Sequence, residues 1–358
     1  MQPGLTLPVP DAGPAGSGRG RGLPVTGDEG VLLAPDALGF TVIGRSHMAL
    51  DPQSAAVVAA VQKRFPRLGT EVLDAAEARR ILAENPAAPA PKAEMHAVEE
   101  LTAPGPGGDI RLRVYRPYPA EAPSPAIVFF HGGGFVICSL DTHDAPCRQM
   151  ALQTGAVVVS VDYRMAPEHR FPAAAEDAEA ATRWVAAHAA ALVVDPSRIA
   201  VAGDSAGGNL AAVVAQRCAR GAGPALAYQL LIYPMLDHAF DTESYRRNGH
   251  GYAVTIDHLR WYWDQYLGGL DGADPTASPL RAADLRGLPP TYLVAAEHCP
   301  LRSENEAYAE RLRAAGVPVT YACYPGVAHG FFTLDHLLDT ARTAGRHAYA
   351  TVREALRG

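Results

Sequence analysis

Short apolar runs alternate along the chain with stretches of helical spacing. AIVFF (126–130), AVVVSV (156–161), RIAVAG (198–203), YQLLIY (228–233), TYLVAA (291–296) and VTYACY (319–324) are of strand length and rich in branched residues. A strand that is apolar at successive positions hides both faces, so these runs predict a mostly parallel sheet covered by crossover helices, an α/β fold. RLRVYRP (111–117) alternates instead and reads as an earlier, partly exposed strand. Residues 51–85 carry apolar positions at helical spacing, with Asp51 and Pro52 as N-cap and first helical residue, until the proline-rich 84–92 breaks the pattern. One or two helices and a linker are expected there.

Between YQLLIY and TYLVAA the chain is too long for an ordinary connection and holds Phe240, Tyr245, Tyr252, Trp261, Tyr262, Trp263 and Tyr266. Residues 235–275 therefore read as an insertion that forms a cap together with residues 48–90. Its helical stretch WYWDQYL (261–267) predicts Trp261 or Trp263 buried against the main body.

Composition narrows the class. The 358 residues, 48% hydrophobic and 19% charged, fit a soluble globular protein of one large domain or two small ones. A net charge of −7 offers no basic field for nucleic acid or anionic lipid. Five cysteines without CxxC spacing suit a reducing compartment, and no apolar run is long enough for a membrane span or leader, so a cytoplasmic protein is expected. Residues 1–47, rich in glycine and proline, read as a disordered extension, with Met48 a natural beginning for the folded part, 48–358.

Chemistry concentrates in three places. GDSAG (203–207) directly follows the strand RIAVA and precedes a helical run, the strand–turn–helix context of a nucleophile elbow, which makes Ser205 the candidate nucleophile. HGGGF (131–135) follows the strand AIVFF, and its consecutive glycines let backbone N–H groups approach a reacting carbonyl. Gly132 and Gly133 are thus expected to join the N–H of Ala206 in an oxyanion hole. His131 reads as ordering this loop through hydrogen bonds rather than as a base. Of the 13 histidines, His329 in YPGVAHGFF (324–332) follows the last strand, where the chain order nucleophile, acid, histidine places the base. No phosphate-loop pattern and no HExxH spacing is present, so neither a metal nor an organic cofactor is implied.

With these residues in view, the chain from about 48 to 358 resembles the hormone-sensitive-lipase-like carboxylesterases of the α/β-hydrolase fold. The matching segments are HGGGFVICSLDTHD (131–144), VDYRMAPEHRFPAA (161–174), GDSAGGNLAA (203–212), CPLRSENEAYAERL (299–312) and YPGVAHGF (324–331). The resemblance implies a nucleophile at Ser205, a base at His329 and scaffold roles for Asp162, Tyr163 and Glu168. It implies a small-molecule ester as partner and leaves a homodimer open, because related enzymes often pair through the last edge strand.

One position departs from the family. Its acid is the Asp of a D-P-L segment, and here Cys299 stands there, with Ser303 where a second Asp is common and Cys138 where the first motif often has Gly. A neutral thiol is a weak partner for imidazole, and loss of the acid costs other triad enzymes about 10⁴-fold in turnover. Glu297, two residues earlier, is a tentative replacement. The remaining readings are a slow esterase, a fold turned to acyl transfer or to elimination of an acyloxy group in specialised metabolism, and a non-catalytic binding protein.

Overall fold

The computed structural model describes residues 40–42, 49–86, 89–119 and 122–357. The expected extension and the beginning at Met48 lie outside these, apart from β1 (Phe40–Val42). Helices α1 (Pro52–Arg64) and α2 (Ala75–Glu84) lead into a hairpin of β2 (Ala97–Gly105) and β3 (Gly108–Arg116). The alternating body follows as β4 (Ser124–Phe130), α3 (Asp144–Thr154), β5 (Val157–Asp162), α4 (Ala173–Ala187), β6 (Val194–Asp204), α5 (Ala206–Arg217) and β7 (Tyr228–Ile232). The long connection carries α6 (Glu243–Asn248) and α7 (Ile256–Leu267), and the chain closes with β8 (Thr291–His298), α8 (Arg302–Ala314), β9 (Val319–Ala328) and α9 (Asp339–Ala355).

The described strands form one sheet in the order β1-β9-β8-β7-β6-β4-β5-β3-β2. Only the β2–β3 and β3–β5 pairs are antiparallel. Every residue of β7 and β8 is buried, and so are five of the six residues of β5, as unbroken apolar runs require when helices cover both faces. Asp51 caps α1, its carboxylate accepting from the Ser54 N–H at 2.8 Å, with proline in the first turn as expected.

Two elements depart from the sequence expectation. Strand β2, AVEELTAPG, is mostly exposed and has no apolar period to reveal it; backbone pairing with β3 and the Arg113–Glu100 and Arg116–Glu99 ion pairs hold it. In the stretch expected to be disordered, Phe40–Val42 pairs in parallel with β9, Phe40 opposite Tyr321 and Val42 opposite Cys323. The residues Phe-Thr-Val favour strands, and β9 would otherwise leave unpaired backbone groups along this edge.

The long connection packs against the N-terminal helical segment. The Trp261 indole donates to the Leu73 carbonyl at 2.7 Å, and the Phe65 and His258 rings lie 5.5 Å apart. Trp263 is fully buried on the other side, 6.0 Å from the Phe135 ring. Both tryptophans, rather than one, are therefore anchored.

Candidate active site

Strand β6 ends at Asp204 and α5 begins at Ala206, which leaves Ser205 on a one-residue turn at φ 55°, ψ −116°. A non-glycine residue holds such a backbone only when its surroundings fix it. Here the Ser205 N–H donates to the Ile232 carbonyl at 2.9 Å and its carbonyl accepts from the Met235 N–H at 3.1 Å. The turn is tight enough that a Cβ on Gly203 would lie 2.2 Å from the Gly207 carbonyl oxygen, and one on Gly207 would lie 1.9 Å from that of Phe130.

His329 stands at the turn after β9 and meets Ser205 across the top of the sheet, Nε2 lying 3.0 Å from Oγ. Ser205 and His329 are both buried, and the Tyr233 ring packs 4.5 Å from the imidazole. Burial pushes His329 down to about 4, with the Asp204 carboxylate acting in the opposite direction. The imidazole is therefore neutral across the neutral range.

The other ring nitrogen, Nδ1, faces Cys299 Sγ at 3.1 Å. That sulfur also accepts from the Leu301 N–H at 3.4 Å, and burial pushes the thiol well above its usual range. Cys299 thus meets the imidazole at the nitrogen opposite the one that faces Ser205. Glu297 does not take that position. Its Oε2 accepts from the Gly326 N–H at 2.9 Å and lies 3.9 Å from His298 Nε2, so the tentative assignment of Glu297 as acid is corrected. The register between β8 and β9 shifts between Ala296 and His298, where strand parity no longer carries a side chain from one residue to the next but one. Ser303, where the family often has a second Asp, binds the start of α6, its Oγ accepting from the Ser244 N–H at 3.2 Å.

The glycine loop after β4 also differs in detail from expectation. The Gly132 N–H donates to Asp204 Oδ1 at 2.9 Å, which removes it from the expected oxyanion hole. The N–H groups of Gly133, Gly134 and Ala206 have no partner among the described residues and are the donors left for a ligand. Gly134 was missed in the sequence, where nothing ranks one glycine of the run above another. It sits at φ +61°, and a Cβ there would lie 2.1 Å from the Tyr262 ring, so α7 presses directly on this loop.

A second missed pair supports the loop. His143 Nε2 lies 3.2 Å from Asp204 Oδ1 and its Nδ1 3.0 Å from Thr142 Oγ. Burial would raise the Asp204 carboxyl, but the charge and hydrogen bond of His143, with His131 and the Gly132 N–H, hold it below its ordinary value. His131 orders the loop as expected, its Nδ1 2.7 Å from the Gly132 carbonyl and its ring stacked 4.4 Å from Tyr163. Asp162 pairs with Arg111 at 2.7 Å and Glu168 with Arg79 at 2.7 Å. Among the described residues no group of three or more His, Cys, Asp or Glu could hold a metal ion, and no helix is long and apolar enough to cross a membrane.

Comparison with known proteins bears on the whole arrangement. A family model for the alpha/beta hydrolase fold matches residues 127–333. Esterase LipI of Mycobacterium tuberculosis is 43% identical over 265 residues, 73% of this chain and 83% of its own. An ethyl acetate hydrolase of Pseudomonas putida is 38% identical over 306 residues, 82% of this chain and 95% of its own. Among solved structures, the hyperthermophilic esterase of Pyrobaculum calidifontis superposes with a TM-score of 0.79 at 40% identity, covering 86% of this chain and 99% of that one. The chain belongs to the alpha/beta hydrolase fold family and, within it, to the hormone-sensitive-lipase-like carboxylesterases.

Proposed function

We propose that the protein hydrolyses carboxylic esters of small to medium apolar acyl groups, with Ser205 as nucleophile and His329 as base. The observation that carries this reading is the 3.0 Å contact between His329 Nε2 and Ser205 Oγ on a strained turn beside three N–H groups without a partner among the described residues. Ser205 Oγ attacks the ester carbon as its proton passes to Nε2, and the oxyanion is received by the N–H groups of Gly133, Gly134 and Ala206. The imidazolium returns the proton to the leaving alcohol, and water repeats the sequence on the acyl-enzyme. Segments α1–α2 and α6–α7 form a cap, and the Tyr233, Tyr262 and Phe331 rings near the site favour an apolar acyl chain. Five free thiols suit a reducing compartment such as the cytoplasm.

The test is turnover of p-nitrophenyl butyrate by the wild type and by Ser205→Ala, with fluorophosphonate labelling alongside. Turnover and labelling that both vanish in the variant support the reading; a wild type that neither labels nor turns over is a binding protein. The neutral partner of His329 favours one second reading. A base beside an oxyanion hole can take a proton alpha to a carbonyl and let a carboxylate leave, the imidazolium then returning its proton to solvent or to the leaving carboxylate. Hydrolysis at rates normal for such esterases, with Ser205 essential, would exclude it.

A further inference from the structure

Cys299 brings a proton to a place where a carboxylate would bring none. An ionised Asp can only accept, so it compels Nδ1 of the histidine to carry hydrogen and leaves Nε2 as the free base. A thiol has one donor and a weakly accepting sulfur. In this protein the sulfur receives the Leu301 N–H at 3.4 Å, and His329 Nδ1 at 3.1 Å is the acceptor within reach of the S–H among the described residues.

We infer that Cys299 is a positioning residue that donates its S–H to His329 Nδ1, holds the imidazole as the Nε2–H tautomer, and so keeps Ser205 unactivated until the thiol loses its proton. The inference rests on the proposed Ser205–His329 chemistry and explains what the substitution does to it. In the held state Nε2 points a hydrogen at Ser205 Oγ, where catalysis needs a lone pair. In the productive tautomer the sulfur would accept from Nδ1–H and the S–H would turn away, where it meets no acceptor among the described residues. As a thiolate, Cys299 accepts from Nδ1–H as a carboxylate would, and the lone pair of Nε2 returns to Ser205. In the switch the S–H proton passes to Nδ1 and the Nε2 hydrogen leaves to solvent base: S–H and Nε2–H break, Nδ1–H forms, and one proton is lost in all.

The groups around the pair leave Cys299 as the one that governs this step. Burial pushes the Glu304 carboxyl of α8 well above its ordinary value, opposed by the Leu236 N–H, and the Cys323 thiol of β9 is pushed up to about 12, chiefly by burial. The Cys299 thiol is itself raised by burial, opposed by the Leu301 N–H and reinforced by Glu304 and Cys323. On the imidazole side, the Asp204 carboxylate is the charge that acts on His329, and the Tyr233 phenol is kept neutral by burial. The thiol form therefore holds throughout the neutral range, and activation belongs to the alkaline side.

The experiment compares pH profiles of kcat/KM, corrected with Ser205→Ala, for the wild type, Cys299→Asp and Cys299→Ser, together with ¹⁵N-histidine NMR of the wild type. The wild-type rate is expected to climb about tenfold per pH unit above neutrality without a plateau, as a single ionisation requires. Cys299→Asp should plateau at neutral pH, about 10²-fold or more above the wild type there. Cys299→Ser, whose hydroxyl donates but does not ionise, should stay low with no alkaline rise. In the spectra, long-range proton–nitrogen correlations should place the hydrogen of His329 on Nε2 at neutral pH. A hydrogen on Nδ1, or a wild-type plateau from neutral pH upward at the height of Cys299→Asp, overturns the inference even if Ser205 is essential. Turnover independent of Ser205 in both the wild type and Cys299→Asp overturns instead the chemistry on which it rests. The tautomer is read by NMR in either case and does not require Cys299→Asp to fold.

Discussion

Two histidines flank the nucleophile elbow, and they have been given opposite partners. His143 faces the Asp204 carboxylate at 3.2 Å, whereas His329, which reaches Ser205, faces the Cys299 thiol at 3.1 Å. The charged partner sits where it ties backbone together, since the same Asp204 oxygen takes the Gly132 N–H. The neutral partner sits where charge would drive proton transfer. Support of the glycine loop and the environment of the base are thus carried by separate groups in this fold.

The sharpest way to break that comparison is at Asp204. Replacing it with Ala frees the Gly132 N–H and unseats the loop, so kcat should fall by roughly 10²–10³-fold with little change in KM, the signature of a lost transition-state contact. Asp204→Asn keeps an acceptor oxygen and should retain most of the rate; equal losses in both variants would mean that charge, not the tether, matters.

Acid titration sharpens the comparison from the side of stability. His131 and His329 are both pushed down to about 4, chiefly by burial. The unfolded chain therefore binds more protons than the folded one between about pH 6.5 and 4, and stability falls as pH drops through that window. Each histidine should cost about 2 kcal/mol between pH 7 and 5, read as a shift in urea midpoint. Asp204 lies below its ordinary carboxylate range, so its contribution is present above that range and is lost only as pH falls below it. A midpoint unchanged from pH 7 to 5 would refute burial of both neutral rings.

Gly134→Ala tests the contact between loop and insertion. At φ +61° and 2.1 Å from the Tyr262 ring, an added methyl group should cost about 1–3 kcal/mol and lower activity with it. The smallest effect is expected at Glu297, whose carboxylate serves the Gly326 N–H. Glu297→Gln keeps that acceptor and should change kcat less than about threefold, whereas removal of a true acid costs on the order of 10⁴-fold. A large loss there would restore Glu297 as the acid.

The strands from β4 to β9 were legible because their central residues are buried on both faces, which demands runs of apolar residues. Strand β2 was not, since an exposed antiparallel edge is stabilised by backbone pairing and ion pairs that leave no period. At the site, Ser205, His329 and Cys299 could be read because the elbow, the final loop and the departure from D-P-L are local in sequence. Gly134 and the Asp204–His143 pair could not, because hydrogen-bond partners far apart in the chain select them.

The sequence by itself determined the alternation of strand and helix and singled out Ser205, His329 and Cys299 as candidates, all of them properties of short contiguous segments. Only the tertiary structure decided which glycine N–H groups lack a partner among the described residues, that the Glu297 carboxylate binds the backbone of β9, and that the Cys299 sulfur stands 3.1 Å from His329 Nδ1. Those outcomes depend on where each donor finds an acceptor once the sheet has assembled, and the pattern of residues along a chain does not specify that.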